Sequence, residues 1–393
     1  MMSFRQQLAN LQIGLREHSS GNPRYFINMI NRRLRLGLRL DYLWPGGWSP
    51  RPDLGVSIIP TYRCNLGCEM CFQRDDSGNV RGVTKDKELS SDQWKLVIDR
   101  VARFASTILW MGGEIFIYPR MVELLAYAKA KGLKVLVVTN GFFLADIAEQ
   151  LVEINLDAVT VSIGGFEALH NTICHNPQAF ARAVKGIKAV LAARQAQQSQ
   201  LPILTINHVI MQQNYRQIPE FVTFARKLGV DIVQFLGLVY LNPTTTQRHK
   251  EILRHEFGVT AAHMNALDNS RYAAGLDATW LQEQINALLN NSPAFPALRF
   301  CSKGLGRHIE AHYGPDEHLP LPYQRCLSPW RKMTIQPNGD VTACCKLTEL
   351  YIGNALYEDL DSIWNKEAFR QFRRWIKRQP LPGCIRCGWL DYR

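Results

Sequence analysis

Gly55-Val-Ser-Ile-Ile-Pro-Thr-Tyr-Arg-Cys-Asn-Leu-Gly-Cys-Glu-Met-Cys-Phe72 runs from an apolar strand pattern straight into three cysteines. Cys64, Cys68 and Cys71 are spaced x3 then x2 on one short loop. Such a triplet can hold three irons of a [4Fe–4S] cube through thiolates and leave the fourth iron to a small molecule. The competing reading is zinc, which usually takes four ligands from two paired Cys/His knuckles. The tight triplet, with the aromatic Phe72 directly behind it, favours the cluster.

Outward from this loop, strand and helix patterns alternate. Ser90-Ser-Asp-Gln93 reads as a capping box that opens a helix to about Ser106. Strands are predicted at Thr107–Trp110, Lys134–Val138, Ala158–Ile163, Ile203–Val209 and Ile232–Val239. Helices fall between them at about Met121–Lys131, Leu144–Ile154, Gln178–Arg194 and Ile218–Leu228. Counting Gly55–Ile59, six short strands separated by helical patterns predict a parallel sheet with right-handed crossovers. Ligands of such sheets sit at the carboxyl ends of the strands. Polar or glycine-rich residues gather on that rim: the cysteine loop, Gly112-Gly113-Glu114, Thr139-Asn140-Gly141, Ser162 and, within its strand, Asn207.

From about Asn242 to Leu321 the pattern loosens into helical stretches and Pro-rich connections. Cysteines then recur in order: Cys326, Cys344 and the closing Cys384-Ile-Arg-Cys387. Asn338-Gly339 between two β-rich runs is a hairpin signal, and it places Cys326 and Cys344 near opposite strands of one ribbon. Taken alone, these four thiols also fit a zinc ribbon. Cys345 is an alternative to Cys344, while Cys174 and Cys301 read as buried thiols.

With 393 residues and 46% hydrophobic content, the chain can build a sizeable core in one large or two ordinary domains. No run approaches the ~18–20 apolar residues of a membrane span, and the first residues lack the apolar block of a secretory signal. Ten cysteines in clustered spacings therefore read as metal ligands in a reducing compartment, with the cytoplasm expected. Part of the +12 net charge lies in two local runs, Arg32–Arg39 and Arg370–Arg378. The first follows Tyr25-Phe-Ile-Asn-Met-Ile30 and ends near Trp44. As a basic amphipathic helix it suits a peripheral membrane contact or an acidic substrate; as a leader helix it packs across the core and exposes its arginines.

The cysteine triplet and Met111-Gly-Gly-Glu114 resemble the radical S-adenosylmethionine (SAM) superfamily. That resemblance implies a partial (β/α)6 TIM-like barrel, an α/β fold, whose cluster cleaves SAM to methionine and a 5′-deoxyadenosyl radical. It implies that Gly112, Gly113 and Glu114 hold the SAM ammonium, that Phe72 lies near adenine, and that Ser162 and Asn207 contact ribose and carboxylate. Two departures stand out. Ile115 replaces the usual proline, and Ser162-Ile-Gly-Gly165 replaces a Ser-x-Asp-Gly element, removing a rim carboxylate.

The C-terminal set, with its Cys-x12-Gly-x4-Cys opening, resembles the SPASM/Twitch extension of that superfamily. It implies that Cys326, Cys344, Cys384 and Cys387 ligate a second, auxiliary [4Fe–4S] cluster that moves electrons. The expected divisions are 1–53, a basic leader and linker; 54–241, the barrel; 242–321, a connector; and 322–393, the auxiliary domain.

The leader is shorter than the recognition domain that peptide-modifying relatives often carry. The expected substrate is accordingly a small molecule, sugar or lipid-linked compound, with peptide maturation as the alternative. A small electron donor such as flavodoxin or ferredoxin is implied. A basic Fe–S protein that binds nucleic acid is the reading of another class, and the absence of an aromatic-basic repeat or RNA-binding module counts against it. His208, Gln234 and Tyr240 are placed near inward-facing strand ends, where they either touch substrate or serve the core.

Overall fold

The computed structural model describes residues 12–13, 45–50, 52, 55–73, 87–261, 267–291, 296–301, 309–314, 325–344, 349–387 and 390–391. Strands β1 (Gly55–Ile58), β2 (Thr107–Trp110), β3 (Lys134–Thr139), β4 (Ala158–Ser162), β5 (Ile203–Ile210) and β6 (Ile232–Gly237) lie side by side in chain order, all parallel. This is the α/β architecture of a partial barrel. It reaches further than expected on both sides.

The connector supplies a seventh parallel strand, β7 (Ala297–Cys301), beside β6. On the other side, β9 (Lys332–Ile335) pairs in parallel with β1, and β10 (Asp340–Thr342) and β11 (Tyr351–Asn354) follow antiparallel. The result is one ten-stranded sheet in the order β11-β10-β9-β1-β2-β3-β4-β5-β6-β7.

The crossover helices are α1 (Ser91–Phe104), α2 (Met121–Ala130), α3 (Leu144–Glu153), the pair α4 (Glu167–Cys174) and α5 (Ala179–Ala196), and α6 (Ile218–Leu228). Every second strand residue faces them: Val135, Val137, Val159, Val161, Leu204 and Ile206 are all fully buried. The capping box of α1 forms as expected, Gln93 N–H donating to Ser90 Oγ and Ser90 N–H to Gln93 Oε1. The opposite strand parity lines the interior. At the amino ends of β4–β7, Ala158, Ile203, Ile232 and Ala297 close round Ile13. An apolar plug at that end leaves the polar rim at the other end for ligands.

The connector also contains α7 (Pro243–Phe257), α8 (Ala278–Asn291) and α9 (Ile309–Tyr313). Beyond it lie α10 (Leu360–Trp364), α11 (Glu367–Arg378) and a small ribbon of β8 (Arg325–Cys326) with β12 (Leu390–Asp391). The first basic run lies outside the described residues. The second is α11, and it does not simply face solvent. Arg373 is fully buried over the rings of Trp364 and Phe369, and donates to Pro329 O, Gly47 O and Asn365 Oδ1. Arg370 and Arg374 donate to Gly46 O. These arginines staple the 45–50 segment to the auxiliary region. Among the described residues, no helix is long and apolar enough to cross a membrane.

Candidate functional site

The cysteine loop leaves β1 and is held on three sides. Gly113 N–H donates to Thr61 O and Glu114 N–H to Arg63 O, so the Gly-Gly-Glu turn runs against its backbone. A Cβ at Gly113 would lie 2.2 Å from Arg63 O, and one at Gly112 2.6 Å from Thr61 O. Only glycines fit there, and what they approach is the cysteine loop itself. Arg63 forms a two-pronged ion pair with the buried Glu88 carboxylate. Tyr62 OH donates to Gln336 Oε1 beside the β9–β10 hairpin, tying this loop to the auxiliary region.

Cys64, Cys68 and Cys71 gather within this frame. The Cys64 thiol is pushed up to about 11, first by burial and then by the nearby Cys68, Glu114 and Cys71, against a lowering backbone hydrogen bond at Leu66. Burial keeps the free thiol protonated, and a metal binding here would have to displace that proton. Among the described residues, no three His, Cys, Asp or Glu side chains converge on a single metal ion. A cube spaces its thiolates more widely than one ion does. Asn140 Nδ2, on the β3 rim, lies 3.8 Å from Cys64 Sγ and donates to Asn65 Oδ1 at 2.9 Å.

Glu114 is fully enclosed. Its carboxylate accepts from Thr139 Oγ1 (2.8 and 2.9 Å), Asn140 N–H (2.7 Å) and Phe116 N–H (3.1 Å). Burial pushes its pKa upward, opposed by these donors. The carboxylate therefore fixes the β3 turn that presents Asn140. Phe72 is half-buried against the main core. Ser162 is exposed at the end of β4, directly opposite Asn207, which is opposite Gln234, which is opposite Arg299. Gln234 Nε2 donates to Asn207 Oδ1 at 3.0 Å, so this polar row crosses four strands of the interior.

His208 is placed differently from expectation. It follows Asn207, so strand parity sends it to the helix side, fully buried between Phe221 and Phe235 with Nδ1 3.0 Å from Ile163 O. Burial lowers its pKa to about 4 and keeps it neutral. Tyr240 stacks on Tyr313, donates to His312 O and lies under the Arg386 guanidinium, 3.9 Å from the ring centre. Arg386 sits within the closing Cys384–Cys387 pair.

At the auxiliary centre, Cys326, Cys384 and Cys387 are neighbours. The Cys326 thiol is pushed strongly upward by burial, then by Cys384 and Cys387. Cys326 is not on the hairpin ribbon: it pairs with Leu390 in the β8–β12 ribbon, and the turn Ser328–Trp330 separates it from β9. Pro329 in that turn ends the hairpin strand short of Cys326. Cys344 follows β10, and Cys345 lies outside the described residues.

The radical SAM superfamily profile matches residues 58–225, and an iron–sulfur cluster-binding domain, SPASM, matches 326–388. This is a radical SAM protein with a SPASM domain. Its cofactors are SAM, the SAM-binding [4Fe–4S] cluster and an auxiliary cluster. It is 22% identical over 355 residues to the tungsten-containing aldehyde ferredoxin oxidoreductase cofactor-modifying protein of Pyrococcus furiosus, covering 84% of this chain and 86% of that protein. It is 28% identical over 338 residues to the mycofactocin maturase MftC of Mycobacterium ulcerans, covering 84% and 79%. Streptococcus suis SuiB bound to the precursor peptide SuiA shares the fold, with a TM-score of 0.59 at 17% identity, over 87% of this chain and 70% of SuiB.

Proposed function

We propose that this radical SAM enzyme is a maturase that modifies a C–H bond of a ribosomally made peptide or protein. The similarity to the mycofactocin maturase along most of both chains carries the reading, and the fold shared with peptide-bound SuiB supports it. These similarities favour a peptide over the small-molecule, sugar or lipid-linked substrate expected from the leader. Modification of a small-molecule cofactor is the second reading, resting on the Pyrococcus relative.

When bound, the cluster and SAM supply reductive cleavage to methionine and a 5′-deoxyadenosyl radical that abstracts hydrogen. Cys64, Cys68 and Cys71 would hold that cluster, and Glu114 braces the β3 turn that runs beside the cysteine loop. Ser162, Asn207 and Phe72 would hold SAM at the rim, and Gln234 fixes the Asn207 amide. Cys326, Cys384 and Cys387, with Cys344, would hold the auxiliary cluster, which would supply an electron-transfer centre. A small donor such as flavodoxin or ferredoxin supplies the first electron.

The test incubates anaerobically reconstituted protein with SAM, a reductant and each small peptide encoded beside its gene. A changed peptide mass in step with 5′-deoxyadenosine formation is expected. Deoxyadenosine that rises only with a small-molecule cofactor would overturn the peptide reading in favour of the second.

A further inference from the structure

Cys174 closes α4 and has no role in the mechanism above, yet its sulfur lies 3.6 Å from Cys68 Sγ. It is 3% exposed, and its surroundings decide where the thiol proton goes. His170, one turn earlier, offers Nδ1 at 3.8 Å and Nε2 at 3.7 Å. The Nδ1 lone pair is already taken by Gly164 N–H at 3.0 Å, which leaves the ring proton on Nε2. Burial keeps this ring neutral, with its pKa lowered to about 4. Neither nitrogen is then an acceptor for Cys174. Once Cys68 ligates iron it is a thiolate without a proton, and it becomes the acceptor within reach.

The contact is held by backbone. Gly67 N–H donates to Cys174 O and Glu69 N–H to Ile173 O, both at 3.0 Å, so the end of α4 is clamped to the cysteine loop. The base of the helix is fixed by Asn214 Nδ2, which donates to Gly164 O at 2.8 Å. Gly164 stands where the related Ser-x-Asp-Gly element has its carboxylate. A Cβ there would lie 3.8 Å from His170 Nδ1 and 3.3 Å from Ile173 Cδ1, so a longer acidic side chain would crowd the ring that sets the proton's direction.

We propose that Cys174 is a positioning residue that donates its thiol proton to the Cys68 thiolate and raises the reduction potential of the SAM-binding cluster. Hydrogen bonds to cluster sulfurs are among the levers that set such potentials, because they stabilise the more negative, reduced state. The thiol need not ligate iron to act this way.

The experiment is a redox titration of the full-length, doubly reconstituted protein, following the EPR signal that responds to SAM. Cys174→Ala is expected to keep its iron and lower the midpoint, so that the reduced-to-oxidised ratio at fixed ambient potential falls about three- to tenfold (tenfold being about 59 mV for one electron). Cys174→Ser, which keeps a hydroxyl proton, is expected to recover at least half of that change. An unmoved midpoint in the alanine variant overturns the proposal. Should the alanine variant not hold its cluster, electron–nuclear double resonance of the unaltered, SAM-bound protein takes its place. An exchangeable proton coupling that vanishes in D2O and changes in Cys174→Ser is then expected, and its absence overturns the proposal.

Discussion

The two cysteine centres are built in opposite ways. Cys64, Cys68 and Cys71 lie within eight consecutive residues, and the fold brings donors to them: Asn140 from the β3 rim and Cys174 from the end of α4. Cys326 lies far along the chain from the Cys384–Cys387 pair, so tertiary structure must bring these expected ligands together. One centre is a local motif tuned by its surroundings. The other is a long-range staple, and its metal should couple more strongly to folding.

The largest expected effect tests whether the centres are separable. Changing Cys64, Cys68 and Cys71 together to alanine should abolish SAM cleavage and remove about half of roughly eight irons, as two [4Fe–4S] clusters require. Metal analysis and deoxyadenosine assay read both. Loss of all iron would show that the centres assemble as one.

The reciprocal variant, Cys384→Ala with Cys387→Ala, should lose the other half while slow SAM cleavage by dithionite persists without product. It should also lower the melting temperature more than the first variant does. An equal drop in both would erase the contrast between motif and staple.

A smaller effect is expected at Glu114, which belongs to the first centre without ligating it. Glu114→Ala strands the Thr139 hydroxyl and the Asn140 and Phe116 N–H groups. Losses of charge-assisted bonds typically cost roughly 1.5–3 kcal/mol, or about 10- to 150-fold in SAM affinity if the turn's order is transmitted to the ligand. Equilibrium SAM binding at constant iron content checks this. Unchanged affinity would confine Glu114 to structure.

The smallest effect is a pH dependence on the barrel side. His208 titrates near 6.5 when unfolded and near 4 when folded, so the unfolded chain binds the extra proton between those values. Its contribution is complete above about pH 6.5 and is lost as pH falls toward 4, by up to about 3 kcal/mol. His208→Leu should flatten that acid limb in thermal melts without removing it, since His170 shifts in the same direction. An unchanged limb would show that other groups govern it.

The contrast also explains what sequence could show. A contiguous triplet and strand-end polar residues are local, so the places of the loop, the Gly-Gly-Glu turn, Ser162 and Asn207 on one rim are legible, while the partners that enclose Glu114 are not. The parity of β5 is legible too: it separates Asn207 from His208 and assigns His208 the core role, not the substrate contact. The Asn338-Gly339 signal fixes β9 and β10 but says nothing across Pro329, so it does not reach Cys326 in its own ribbon. β7 was hidden in a connector whose short strand pattern lies between helices and Pro-rich stretches. Cys174 looked like any buried thiol. Its neighbour Cys68 is distant in sequence, and no periodicity reports such a contact.

One pairing bears on how the molecule is made. β1 begins at Gly55, but the strand that covers its second side begins only at Lys332. At roughly 5–20 residues per second, a ribosome takes on the order of 15–60 s to travel between them. During that interval β1 has one naked edge, and Tyr62 has no Gln336 to hold it. The first cysteines thus emerge early but gain their full enclosure only once Lys332 and the residues after it have been made.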